Sequence, residues 1–285
     1  TVLGAALRLP YRKRVALVGS VATNIIAPLA GWRTRIRSNL DLVWPELSQE
    51  ERERIVRKVS DNAGRTLIEI YSGEEFVERI KQSELTGPGL PQLAEARASG
   101  RPIVLVTAHL GNYDSVRGKL SREGYPMAAL YRPMENPKFN AHYLKAISTI
   151  AEPVYPTDGK GIAALVKHLK KGGIIGIVAD VGSTKAPVLS FFGKPAHTPL
   201  SAAEWAVRFD ALMVPIFGIR QPDGFSFRVE VATPIANGDP ADMMQSYNDA
   251  VEAVVRQHPE QWFWIHRRWK RKQKKNATEA ATPQG

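Results

Sequence analysis

Cysteine is absent from the chain, which has 285 residues. Disulfide bonds, cysteine nucleophiles and thiolate metal sites are therefore excluded, and the composition is consistent with a reducing compartment. The six histidines show no close metal-ligand spacing, so the sequence predicts no metal site.

Two motifs that carry common chemistries are also missing. A phosphate-binding loop needs Ser or Thr after its Gly-Lys pair, but Gly118-Lys119 is followed by Leu120. No Gly-x-Ser-x-Gly elbow occurs, so a serine nucleophile of the α/β-hydrolase type is unsupported.

Acidic residues are in deficit. The chain has 28 Asp and Glu against 39 Lys and Arg, which gives a net charge of +11. Such an excess favours an anionic partner, which on charge alone can be a nucleic acid, an anionic membrane or an acidic protein.

The apolar N-terminal region is short for a membrane span. Residues 15–31 carry no charge, but these 17 residues fall below the ~20 that a spanning helix needs. We predict that residues 1–31 form a helix in the membrane interface, with the preceding basic residues toward lipid phosphates. A helix packed on the domain's own core is the alternative. No clear small-residue cleavage site follows the run, which disfavours a signal peptide.

From Pro102 onward, short apolar runs alternate with segments of helical periodicity. The predicted strands are 103–107, 127–131, 153–155, 174–179, 212–218 and 225–231, and the predicted helices are about 112–122, 137–150, 160–171, 199–209 and 241–257. This alternation indicates an α/β fold with a mostly parallel sheet flanked by helices. Upstream, Ser48 and Glu51 form a capping box that opens a helix at about Gln49. We predict one domain with a helical lead-in over 32–270, and a basic, disordered tail over 271–285.

The segment Thr107-Ala-His109-Leu-Gly-Asn-Tyr-Asp114 directly follows the first strand of this alternation. Open α/β sheets place their chemistry at the carboxyl ends of strands. An imidazole held by a nearby carboxylate can accept the proton of a substrate hydroxyl. His109 is therefore the candidate general base and Asp114 the carboxylate that orients it. The alternative is a hydrogen-bonded loop histidine without a catalytic role.

Polar residues also follow the next strands. Arg132 comes after the strand at 127–131, where it can pair with a phosphate or stabilise charge on a carbonyl oxygen. Its alternative role is an ion pair with a structural carboxylate. Asn136 lies four residues later, and Asp180 follows the strand at 174–179.

Two aromatic segments complete the pattern. Phe191-Phe192-Gly193-Lys194-Pro-Ala-His-Thr198-Pro199 is a turn with an aromatic wall, and Thr198 is the predicted N-cap of the next helix. Substrate contact is the second possibility for Thr198. The C-terminal Trp262-Phe-Trp264-Ile-His-Arg-Arg segment suits a membrane interface, but Trp262 and Trp264 equally suit the closing of a core.

Together these segments resemble the lipid A biosynthesis (lauroyl/myristoyl) acyltransferases, relatives of the glycerolipid acyltransferases with a His-x4-Asp motif. The resemblance runs from about residue 7 to about residue 270 and implies a glycerol-3-phosphate acyltransferase-like fold. It implies catalysis by His109 and Asp114, and substrate contacts from Asn112, Arg132, Asn136, Asp180, Phe192, Gly193, Lys194 and Thr198. The chain departs from the family at Val181, where members usually have Gln.

The resemblance implies a membrane-associated O-acyltransferase at the cytoplasmic face of the bacterial inner membrane. It would transfer a fatty acyl chain from acyl carrier protein or coenzyme A, as co-substrate, to a lipid A precursor, with no cofactor and no covalent acyl-enzyme. The expected partners are acyl carrier protein and anionic lipid, not nucleic acid. The alternatives are an acyltransferase for another glycolipid or phospholipid and, in another class, a non-catalytic nucleic-acid-binding protein, for which no binding motif is recognisable.

Overall fold

The computed structural model describes residues 2–269. The predicted disordered tail, 271–285, lies outside the described residues.

The central element is a seven-stranded sheet with the strand order β1-β9-β8-β2-β5-β3-β4, and a separate hairpin pairs β6 with β7. Every pairing in the large sheet is parallel except that of β8 with β9, which is antiparallel. The strands are β1 Glu84–Thr86, β2 Ile103–Thr107, β3 Met127–Tyr131, β4 Val154–Pro156, β5 Ile174–Val178, β6 Val188–Phe191, β7 Lys194–His197, β8 Leu212–Arg220 and β9 Phe227–Val231.

Helices cover both faces of the sheet, and the N-terminal part of the chain is entirely helical. The helices are α1 Val2–Ala6, α2 Tyr11–Val21, a π-helical turn Ala22–Ile26, α3 Ala27–Leu29, α4 Trp32–Val43, α5 Gln49–Ile70, α6 Glu74–Lys81, α7 Leu90–Ala98, α8 Tyr113–Arg122, α9 Pro137–Ile150, α10 Gly159–Lys170, α11 Ser201–Arg208 and α12 Pro240–Gln257. The mostly parallel α/β architecture predicted from the sequence is thereby confirmed.

The predicted elements match the structure closely. All six strands and all five helices predicted after Pro102 are present, with ends that differ by at most two residues. The predicted capping box at Ser48 and Glu51 is also formed, with both reciprocal hydrogen bonds. The pattern did not predict the short edge strand β1 or the hairpin strands β6 and β7, which lack a long apolar alternation.

The N-terminal helices pack on α5 by one face. A Cβ at Gly64 of α5 would lie 2.5 Å from the Cβ of Ala22 and 2.6 Å from the carbonyl oxygen of Val18, so only glycine permits this approach. Arg14, predicted to face lipid, is buried and forms an ion pair with Glu75. The alternative of a helix packed on the domain's own core is therefore confirmed for this face.

The opposite face of the same region remains open and apolar. Leu17, Ile25, Ile26 and Leu29 are exposed, and Leu29 is the most exposed at 83%. Among residues 2–269 no single helix is long and apolar enough to span a membrane. The bent pair Tyr11–Leu29 and Trp32–Val43, with 84° between its arms, reaches the required length and composition only when taken together.

A buried ion pair joins α5 to the sheet. Glu69 of α5 is fully buried, and its carboxylate pairs with the guanidinium of Arg220 at the end of β8. Arg220 also donates from Nε to Asn62 Oδ1 at 2.7 Å, and Asn112 Nδ2 donates to Glu69 Oε2 at 2.9 Å. The carboxylate is thus held by two side chains on the sheet side of the helix.

This pair yields a stability prediction. Arg220→Met should lower the free energy of unfolding by about 3–5 kcal/mol, because Glu69 would stay buried without its cation. Arg228→Met is the matched control: the Arg228–Glu230 pair is 34% and 32% exposed, and exposed pairs contribute about 0–1 kcal/mol. Urea unfolding measures the free energy of unfolding of both variants. An equal loss in Arg220→Met and Arg228→Met would contradict the structural role of the buried Glu69–Arg220 pair.

Candidate active site

The sheet register brings His109 beside Asp180. Strands β2 and β5 are parallel neighbours in which Thr107 lies opposite Val178. His109 and Asp180 each come two residues after those paired positions, at the carboxyl edge where open α/β sheets carry their chemistry. The two side chains therefore meet although 71 positions separate them in the chain.

Two hydrogen bonds join these residues. His109 Nδ1 lies 2.7 Å from Asp180 Oδ1, and the backbone N–H of His109 donates to Asp180 Oδ2 at 2.9 Å. The Asp180 side chain is 1% exposed, whereas that of His109 is 25% exposed. With Nδ1 engaged by the carboxylate, Nε2 is the imidazole nitrogen left for a substrate.

The Asp180 carboxyl is held in its charged form. Burial by itself raises its pKa, but the charge of His109 and the hydrogen bonds from His109 outweigh burial, so the pKa lies well below the usual range. In the neutral form of the imidazole, an ionised Asp180 requires that the single ring proton lie on Nδ1. Nε2 is then unprotonated, as a general base requires.

A cavity of about 310 Å³ opens beside His109. This volume is at the lower end of the range for small-molecule sites, about 300–1,000 Å³. Its lining comes from α5, from the His109 loop and from the C-terminal segment: Asn62, Ala63, Thr66, Leu67, Ile70, His109, Gly111, Tyr113, Phe263 and His266. The lining therefore combines apolar side chains of α5 with two imidazoles.

Gly111 shapes the loop that carries His109. Its φ is +55°, and a Cβ there would lie 2.0 Å from the carbonyl oxygen of Gly218. Its own carbonyl accepts hydrogen bonds at 2.9 Å from Asn62 Nδ2 and Thr66 Oγ1 of α5. Helix α5 therefore supports the loop and also forms a wall of the cavity.

His266 is a site residue to which the sequence assigned no role of its own. Its ring lies 4.5 Å from the His109 ring, centroid to centroid, in an edge-to-face arrangement. Burial, then the neighbouring His109 charge, lowers the pKa of His266 to about 4, so the ring is neutral at pH 7. The only sequence signal for it was its place in the Trp262–Trp269 segment.

His109, Asp180 and His266 also form a group with potential metal-ligand atoms within 4.8 Å of one another. Both oxygens of Asp180 already accept N–H donors, two from His109 and one from the indole of Trp262. A cation would have to displace these donors. We therefore interpret the group as a hydrogen-bonded pair with a neighbouring imidazole.

Asp114 does not hold the imidazole, contrary to the prediction. It lies in the first turn of α8, and its Oδ1 accepts a hydrogen bond from Arg117 Nε at 2.8 Å. Arg117 in turn donates to the carbonyl oxygens of Ile147 and Ala151 at the end of α9. Asp114 therefore joins α8 to α9, and the carboxylate that His109 contacts comes from the neighbouring strand.

Asn112 and Thr198 are buried, contrary to the substrate contacts predicted for them. Asn112 caps α8 by accepting from Asp114 N and donates to Glu69. Thr198 does not cap α11, whose N-cap is Leu200. Its hydroxyl instead donates to the carbonyl oxygen of Ala196 at 3.1 Å and accepts from Arg268 at 2.8 Å.

Arg132 and Asn136 lie further along the same sheet edge. Strand β5 separates β3 from β2, so Arg132 is two strands away from His109 rather than adjacent to it. Arg132 is exposed, and no salt bridge within residues 2–269 involves it. Asn136 caps α9 by accepting from the backbone N–H groups of Lys138 and Phe139.

Phe192, Gly193 and Lys194 lie outside the His109 cavity. Phe192 (φ +53°) and Gly193 (φ +65°) form the tight turn between β6 and β7. Phe192 is buried against the rings of Trp44 and Trp264. Lys194 lines a separate surface hollow on α4, so none of these three residues lines the cavity beside His109.

Trp262 and Trp264 are fully buried. Their rings therefore belong to the core and do not lie at a membrane interface. Their segment pairs with the His109 loop. The N–H of Phe263 donates to the carbonyl of His109 at 2.9 Å, and the N–H of Gly111 donates to the carbonyl of Gln261 at 3.0 Å. Gln261 and Phe263 therefore hold the loop of His109, whereas Trp264 does not line the cavity.

The chain is similar in sequence to several bacterial acyltransferases. The chain is 24% identical over 261 residues to a lipid A biosynthesis acyltransferase of Haemophilus influenzae, with 90% of this chain and 81% of that protein covered. It is 26% identical over 241 residues to the lipid A biosynthesis lauroyltransferase of Escherichia coli, with 82% and 78% covered. It is also 24% identical over 185 residues to a phosphatidylinositol mannoside acyltransferase of Mycobacterium tuberculosis, with 64% and 58% covered.

The family profile described as bacterial lipid A biosynthesis acyltransferase matches residues 1–271, nearly the whole chain. The non-catalytic alternative is therefore not supported. The chain belongs to the bacterial lipid A biosynthesis acyltransferase family and is an acyltransferase.

Proposed function

We propose that this protein transfers a fatty acyl chain from a thioester donor to a hydroxyl of a lipid A precursor, with His109 as general base and Asp180 as its orienting carboxylate. The observation that carries the mechanism is the 2.7 Å contact between His109 Nδ1 and Asp180 Oδ1 beside an open cavity. The acceptor class is inferred from the family and its lipid A relatives.

The proposed reaction needs no covalent enzyme intermediate. The acceptor hydroxyl gives its proton to His109 Nε2 while its oxygen attacks the thioester carbonyl carbon. The resulting tetrahedral intermediate collapses with loss of the C–S bond. The thiolate takes the proton back from the imidazolium, which leaves an ester and a free thiol. Asp180 stabilises the imidazolium without itself becoming protonated.

The apolar wall of the cavity suits a hydrocarbon chain. Ala63, Leu67 and Ile70 occupy one face of α5 and line the cavity next to His109. Leu67 is also among the exposed large apolar side chains of the protein, so the apolar surface continues from the cavity to solvent. We assign this wall to an acyl chain of the donor or of the acceptor.

Acyl carrier protein is the proposed donor, with coenzyme A as the alternative. A carrier protein, a phosphorylated lipid acceptor and an anionic membrane are all negatively charged, which accords with a net charge of +11. Arg132 is exposed just after the carboxyl end of β3, and it is the residue that we propose pairs with a phosphate of the acceptor.

A different glycolipid acceptor is the second candidate. The relative from Mycobacterium tuberculosis is a phosphatidylinositol mannoside acyltransferase, so similarity in this group extends beyond lipid A enzymes. The same His109 chemistry applies to any hydroxyl acceptor, and only the surface that holds the acceptor differs.

We propose further that the N-terminal helices rest on the cytoplasmic face of the inner membrane. Leu17, Ile25 and Leu29 project from the face of this region that does not pack on α5, and Arg12 and Lys13 are exposed on the preceding turn. Apolar side chains that enter the acyl boundary next to cations that meet lipid phosphates are the features of an interfacial helix.

The substrate assignment is tested by mass spectrometry of lipid A from cells with and without the active protein. The expected result is one acyl chain that is present only with the wild-type protein. Unchanged lipid A, together with a changed acylation of another glycolipid, would instead select the second candidate.

Substitutions at three residues test the mechanism. His109→Ala and Asp180→Asn should each lower the rate of acyl transfer by about 10²–10⁴-fold, because both remove base catalysis. Both variants should keep the fold. Asp114→Asn is the matched control: it should mainly lower stability, by about 3–5 kcal/mol, through the loss of the buried pair with Arg117. If Asp114→Asn were inactive and Asp180→Asn active, Asp114 and not Asp180 would be the carboxylate that orients His109.

Vesicle binding tests the membrane proposal. Leu29→Asp should weaken binding to phosphatidylglycerol vesicles about tenfold or more, because a buried Leu side chain contributes about 1.5–3 kcal/mol. Val207→Asp on α11 is the control, since Val207 is also an exposed apolar side chain, at 43%, but lies outside the N-terminal helices. Equal binding by the two variants would contradict the proposed contact.

A further inference from the structure

We propose that Trp262 is a positioning residue for the His109–Asp180 pair, and that its indole N–H fixes the carboxylate orientation in which Oδ1 faces the imidazole. This inference rests on the proposed role of His109 as general base. It assigns a specific function to a residue that packing alone would explain as core.

The contact that carries the inference is direct. Trp262 Nε1 donates to Asp180 Oδ2 at 2.9 Å, and the backbone N–H of His109 donates to the same oxygen at 2.9 Å. The indole N–H is a donor only, so it can serve no other role in this arrangement. With Oδ1 engaged by His109 Nδ1, rotation of the carboxylate would break at least one of three hydrogen bonds.

Trp262 is itself held in place. It is fully buried, and its ring packs edge-to-face on Trp264 at 4.7 Å and on Phe191 at 5.5 Å, centroid to centroid. Its backbone pairs with Leu110 in an antiparallel bridge. The segment that donates to Asp180 therefore also fixes the loop of His109, so both members of the pair are positioned by one rigid element.

Loss of the indole N–H should act through Asp180. Oδ2 would keep one donor instead of two, and the carboxylate would gain rotational freedom. More of its negative charge would also face the imidazole, which favours the protonated ring. Residues that orient the ligands of metal sites typically change activity about 10–100-fold when substituted, and we expect an effect at the lower end of this range for Trp262.

Trp262→Phe is the test, with Trp264→Phe as its matched control. Trp264 is equally buried and belongs to the same aromatic cluster, but its indole donates to the carbonyl oxygen of Pro259 at 2.7 Å instead of to Asp180. Both variants lose one indole N–H and keep an aromatic ring. Circular dichroism verifies that each is folded.

The expected result for Trp262→Phe is a fall in kcat of about tenfold with little change in KM, and an acidic limb of the pH–rate profile that moves to higher pH. Trp264→Phe should change neither. In an Asp180→Asn background, Trp262→Phe should cause no further loss of kcat. Additive losses, or equal effects of the two Trp variants, would overturn the proposal.

A second measurement tests the hydrogen bond between Trp262 and Asp180 without substrate and without a Trp variant. In NMR spectra of the protein with labelled tryptophan, Asp180→Asn should shift the indole N–H resonance of Trp262 and leave that of Trp264 unchanged. An unshifted Trp262 resonance would refute the contact even where lipid A acylation is observed. A shifted resonance in a protein that does not acylate lipid A would refute the proposed function and leave the contact intact.

Discussion

The hydrogen bond between the His109 imidazole and the Asp180 carboxylate is the interaction on which the site depends. It exists because β2 and β5 are parallel neighbours in register, so that the residues just beyond their ends meet. Other elements support it from three sides. Helix α5 holds the Gly111 carbonyl, the C-terminal segment pairs with the His109 loop, and the Trp262 indole reaches Oδ2.

Two of the buried carboxylates around the site, Asp180 and Glu69, have separate tasks. Asp180 contacts the partly exposed imidazole of His109 and is the carboxylate nearest to the proposed chemistry. Glu69 and Arg220 lie deeper and connect α5 to the sheet through Asn62 and Asn112. Because a buried ion pair contributes less to stability than its Coulomb energy suggests, the Glu69–Arg220 pair is better understood as fixing the position of α5 relative to the loop of His109.

The sequence predicted the elements well and the contacts between them less well. Periodicity located β2, β3 and β5 within a residue, because buried parallel strands are short apolar runs. Strand order is not encoded in such local patterns. The nearest carboxylate in the chain, Asp114, was therefore chosen over Asp180, which is the nearest in space. Arg132 is exposed, and its phosphate contact stays a prediction. Asn112 and Thr198 are buried in structural positions that a polar residue type alone does not reveal.

The central claim is that Asp180 fixes the His109 tautomer with the proton on Nδ1 and leaves Nε2 free to accept one. The ring nitrogen chemical shifts of His109, measured by NMR at neutral pH on protein with labelled histidine, test this claim most directly. We expect a protonated Nδ1 and an unprotonated Nε2, and a loss of this preference in Asp180→Asn. A proton on Nε2 in the wild-type protein would contradict the account.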